Sequence, residues 1–104
     1  MSNILHFVAE ENEQLIVVEV EEDAAGQVVR REPLVAAETL TQARLLIENR
    51  LVELGCSFAR AFRESYIICD VFIESCPRFK DERARDLAAA QANLAAKSPN
   101  GNAH

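Results

Sequence analysis

The chain has 104 residues, 49 % of them hydrophobic, with a formal net charge of −6 and a pI near 4.9. That length suffices for one hydrophobic core and not for two, and the negative balance makes the chain as a whole a poor ligand for phosphate backbones, because counterion release rewards Lys and Arg. Charge is also unevenly placed: residues 1–38 hold nine carboxylates against two arginines, whereas the remainder is close to neutral.

Reading from the N-terminus, Asn3 to Ala9 predicts a strand, Glu10 to Glu13 a polar connection, and Leu15 to Glu22 a second strand in which Ile16, Val18 and Val20 alternate with Val17, Glu19 and Glu21. A period of two places those three β-branched residues on the core face and the glutamates on the other. Asp23-Ala24-Ala25-Gly26 predicts a four-residue hairpin loop, and Gln27 to Arg31 the third strand of a meander. Pairing Glu22 with Gln27 sets Val20 opposite Val29 and Glu19 opposite Arg30, so apolar meets apolar and opposite charges meet. Pro33, which has no N–H to donate, ends that strand.

Thr39 followed by Gln42 has capping-box spacing, and Gly55 stands where a left-handed residue closes a helix, so Leu40 to Leu54 predicts a helix. Its apolar stripe is Leu40, Ala43, Leu46, Ile47, Leu51 and Leu54, with Gln42, Arg44, Glu48, Asn49 and Glu53 turned away. Residues 56–73 fit helical and strand spacing alike. Their density of β-branched and aromatic residues, directly after a helix stop, favours two strands, Ser57 to Phe62 and Ser65 to Ile73. Ser75 and Pro77 then open an Ala-rich helix running to Lys97, with Asp81 and Arg85 as an i, i+4 pair and Phe79, Leu87 and Leu94 to dock it. Ser98 to His104 has only turn and polar residues and reads as a disordered tail.

The expected fold is α+β, a single domain over 1–97 with a mostly antiparallel sheet, order β-β-β-α-β-β-α and both helices on one face. Leu15 and Val17 on the outward side of the second strand, together with a weakly anchored Ala-rich helix, suggest a homodimer that covers one of those surfaces. Cys56, Cys69 and Cys76 match neither a disulfide framework nor a zinc pattern, and no leader or membrane-spanning run is evident; reduced thiols in the cytoplasm are expected.

No cofactor or metal motif is present, and three glycines allow no phosphate loop. A thiol enzyme needs a base beside its thiolate, and the histidines, His6 and His104, give little support for one. The reading the residues favour is a non-enzymatic inhibitor or adaptor. Its partner-binding residues are Glu10, Glu11, Glu13, Glu19, Glu21, Glu22 and Asp23, an acidic β face that imitates spaced phosphates and occupies a basic surface on another protein. One alternative is a small-molecule-binding or catalytic domain using Cys69, Cys76, Asp70 or His6 between helix and sheet. A further one is a nucleic-acid-associated protein using Arg60, Arg63, Arg78, Lys80, Arg83 and Arg85, although Glu64, Asp81, Glu82 and Asp86 interleave with them.

Overall fold

The computed structural model describes residues 3–97. Three strands, β1 (Asn3–Glu11), β2 (Gln14–Glu22) and β3 (Val28–Ala37), form an antiparallel sheet in the order β1-β2-β3. Three helices follow: α1 (Leu40–Glu53), α2 (Phe58–Ser75) and α3 (Lys80–Lys97), the last entered through a 3-10 turn at Pro77–Phe79. The fold is therefore α+β, but in the order β-β-β-α-α-α.

Strands were predicted at Ser57 to Phe62 and Ser65 to Ile73, and a helix is what forms there. Ser57 caps it by accepting from Arg60 N, and Ala61, Ser65, Cys69, Phe72 and Ile73 line its buried side at helical spacing. Small residues at 61, 65 and 69 let α2 lie close against α1, and this packing decides a segment whose local pattern fits both periods. The helix α1 forms as expected. Thr39 Oγ1 accepts from Gln42 N, Gln42 Oε1 accepts from Glu38 N, and Gly55 (φ 102°) completes a Schellman close in which Gly55 N donates to Val52 O and Cys56 N to Leu51 O.

Two features of the meander differ from expectation. The strand β3 continues through Pro33 to Ala37, because β3 is an edge strand and a register shift opposite Ile16 to Val18 absorbs the missing N–H. The pairing is also displaced: Glu21 faces Arg30, Val20 faces Arg31 and Glu19 faces Glu32. The first hairpin turns tightly on Asn12 and Glu13, both at positive φ, and the second closes on Asp23, whose carboxylate accepts from Ala25 N and Gln27 N.

The larger correction concerns which face is covered. Leu15, Val17 and Glu19 turn toward the helices and are buried together with Val8 and His6, so the pair Leu15 and Val17 offers no outward surface to a second copy. Val18 and Val20 lie on the opposite, uncovered face. They are nonetheless buried there, since they sit mid-sheet on the central strand between β1 and β3. The core joins Val8, Leu15, Val17 and Ala37 of the sheet to Leu40, Ala43 and Ile47 of α1 and to Cys69, Phe72 and Ile73 of α2.

Arg44 and Glu48, placed on the polar side of α1 by sequence, are buried where α1 meets α2 and α3. Arg44 donates to Glu48 and Asp86 at 2.7 Å each and to Ser65 Oγ at 3.1 Å, and its guanidinium lies 4.4 Å from the Tyr66 ring centre. Two further links of α3 are polar: Glu82 accepts from Thr41 N near the start of α1, and Arg83 pairs with Asp70. Phe79 packs on Phe72, but Leu94 stands exposed and the end of α3 projects from the body, while Asp81 and Arg85 do not pair with each other. The polar tail expected at 98–104 lies outside the described residues. No helix among them is long and apolar enough to cross a membrane.

Candidate functional site

Glu19 lies at the centre of the covered face and is 1 % exposed. Its carboxylate accepts from Arg50 Nε at 2.6 Å and Nη2 at 3.1 Å, from Arg30 Nη2 at 2.9 Å, and from His6 Nε2 at 2.9 Å. The fork of Arg50 holds both oxygens, an arrangement that outweighs the desolvation of burial and keeps the carboxyl down at about 2. Because the ionised group can only accept, His6 Nε2 carries the hydrogen in that contact. Arg30 also donates to Glu21 and Glu32, and Arg50 to Glu53, so one buried carboxylate organises a lattice spanning β1, β2, β3 and α1.

The seven acids predicted to form a partner-binding face are accordingly divided. Glu19 is buried and neutralised and presents no surface. Glu21 is held by Arg30, and Asp23 is committed to its own turn. Glu10, Glu11 and Glu13 cluster at the β1–β2 hairpin, with Glu10 paired to Arg78, whereas Glu22 lies beside Asn3 at the opposite end of the sheet. A nine-residue strand separates the two groups, roughly 25–30 Å, so a continuous acidic strip does not form.

The residues named for the other readings have different settings. Cys69 is in the core, where burial pushes its thiol up to about 12. Cys76 ends α2 with its N–H on Phe72 O and Ile73 O and packs against the core, Asp70 is exposed on Arg83, and His6 is bound to Glu19. Of the basic group, Arg60 leans on Glu64, Arg78 on Glu10 and the Phe79 ring, and Arg83 on Asp70. Among the described residues no set of three or more His, Cys, Asp or Glu side chains is placed to hold a metal ion.

A different region brings acidic and apolar groups together. Between the β3 edge and α1 lies a groove of about 470 Å³ lined by Glu32, Leu34, Val35, Leu46, Asn49, Arg50 and Glu53, with Glu19 at its back. It runs into a second hollow of about 300 Å³ that shares Val35, Leu46 and Asn49 and adds Ala36, Ala37, Gln42 and Leu45. Leu34, Val35, Leu45 and Leu46 form an apolar strip along the groove, beside which stand Asn49 and the Arg50 guanidinium. The rim carries Glu32 and Glu53, whose side chains are 59 % and 67 % exposed even though each touches an arginine. Sequence reasoning missed this groove because it ended the third strand before Pro33, whereas β3 runs on to Ala37 and supplies one wall beside α1.

No protein-family model matches the chain, nor does any curated protein or solved structure compared with it.

Proposed function

We propose that the protein is a non-enzymatic interaction module, an inhibitor or adaptor, that holds an extended segment of another protein in the groove between β3 and α1. The observation that carries this reading is the pairing of an apolar strip (Leu34, Val35, Leu45, Leu46) with an acidic rim (Glu32, Glu53) along one sheet edge. Such a groove suits a segment that alternates apolar side chains with Lys or Arg: the apolar ones leave water on the strip, and the cations meet the rim. This reading keeps the basic partner expected from the sequence but moves the contact from the acidic strands and loops to Glu32 and Glu53.

Selection of a random peptide library on the full chain tests this. Enriched peptides are expected to alternate apolar and cationic residues, to bind more weakly as salt rises, and to lose about tenfold in affinity to a Glu32→Lys, Glu53→Lys variant. Peptides without cationic bias, or binding indifferent to Glu53→Lys and Val35→Asp, would remove the proposal.

A further inference from the structure

The opposite edge of the sheet is built differently. The strand β3 is blunted by Pro33, a register shift and two arginines, devices that discourage edge pairing. In contrast, β1 runs for nine residues, Asn3–Glu11, with no proline, no lysine or arginine and no register shift. A two-residue turn closes on a hydrogen-bonded pair, here Glu11 and Gln14, so the odd-numbered residues of β1 bond to β2. The N–H and C=O groups of Ile4, His6, Val8 and Glu10 therefore face outward along the free edge.

Beside that edge runs an apolar ridge of α2. Ile67 is 54 % and Val71 60 % exposed, and together with Ile68 and Phe72 they line a hollow against His6, Phe7 and Val8. Arg63 lies one helical turn before Ile67 and Glu74 about one turn after Val71, on the same side of the helix. Both are exposed, and neither forms an ion pair among the described residues.

We propose that β1 and α2 form a homodimer interface in which the β1 strands of two copies pair antiparallel about a two-fold axis at Phe7. This register sets Ile4 opposite Glu10 and His6 opposite Val8 of the second copy, so each outward backbone group finds a partner. Phe7 meets its own symmetry mate as a non-hydrogen-bonded aromatic pair. Shifting the centre to His6 would set two imidazoles face to face and leave the backbone of Glu10 without a partner among the described residues. Ile67 borders Ile4 to His6 in one hollow and, with Val71, His6 to Val8 in the next, so an axis through Phe7 passes beside these two side chains. The two α2 helices then cross with Ile67 against Val71 and with Arg63 of one copy against Glu74 of the other. Antiparallel pairing further carries Glu10 and Glu11 of the two copies to opposite ends of the joint, whereas parallel pairing would set them side by side. The second copy is thus the occupant whose charges and hydrogen-bonding groups match this edge. The groove at β3 lies on the far side of the sheet and stays open in both copies.

Sedimentation equilibrium of the full chain tests the proposal, with circular dichroism to confirm that each variant is folded. A dimer is expected at micromolar concentration. Ile67→Lys with Val71→Lys is expected to weaken it by about thirtyfold or more. Arg63→Glu and Glu74→Arg should each weaken it as well, and their combination should restore it. Mild oxidation of a Phe7→Cys variant should give a disulfide between the two copies, identified by peptide mass as Cys at position 7 joined to itself. A monomer at every concentration, a dimer indifferent to the Ile67 and Val71 changes, or a charge swap that fails to restore association overturns it.

Discussion

Glu19 shows how much one side chain can determine. Replacing it with Ala strips Arg50, Arg30 and His6 of their shared acceptor, and urea denaturation should record a loss of about 3 kcal/mol. That value is toward the low end for a broken buried pair, since both arginines are about one-third exposed and can turn to water. The acid response has a defined sign. The folded carboxyl titrates near 2 and its ordinary value is 4.5, so its contribution is complete above about pH 4.5 and is lost as pH falls toward 2. Denaturation midpoints of the parent and a Glu19→Gln variant should therefore differ most above pH 4.5 and converge between 4.5 and 2. The alternation from Val18 to Glu22 could not reveal this residue's position. Leu15 to Val18 is an unbroken apolar run that fixes no parity, and Arg50, the group that makes burial of Glu19 tolerable, lies 31 residues away. A carboxylate on the covered face is legible only once its cation is known.

Among the elements, α1 was readable because its cap and its stop are local chemistry: Thr39, Gln42 and Gly55 act within a few residues of themselves. The hairpins were half readable. Gly26 marked the second, but the first turns on Asn12 and Glu13, and a glutamate at φ 66° is not a turn signal. Glu13→Gly should relieve that conformation and raise stability by about 1 kcal/mol in chemical denaturation. The helix α2 was misread since Ile67, Cys69, Val71 and Ile73 alternate as in a strand, while Ala61, Ser65 and Cys69 recur at four; only the neighbouring α1 chooses between them. Ser57, a residue suited to an N-cap directly after a helix stop, was the local clue. The seam between these helices depends on Arg44. An Arg44→Met variant leaves Glu48 and Asp86 facing each other in a buried setting, and thermal or urea unfolding should show a cost of about 3–5 kcal/mol.

At the scale of the molecule, burial is graded from the sheet outward. The strand β2 and helices α1 and α2 hold most of the core, whereas no residue of α3 through Ala96 is fully buried. Hydrogen exchange should follow that gradient, with amides of Ile47 to Arg50 opening only on global unfolding and those of Ala92 to Ala96 exchanging far earlier. Besides the Glu82 contact to Thr41 N, the helix α3 is fastened by two arginine–carboxylate joints of unequal depth. Asp70 at one of them is half in solvent, while Arg44 and Asp86 at the other are nearly dry. Added salt weakens the wet joint and barely reaches the dry one. Rising ionic strength should thus free this arm to swing about Asp86 well before it detaches, so that the reach of the molecule, and not only its stability, varies with the salt around it.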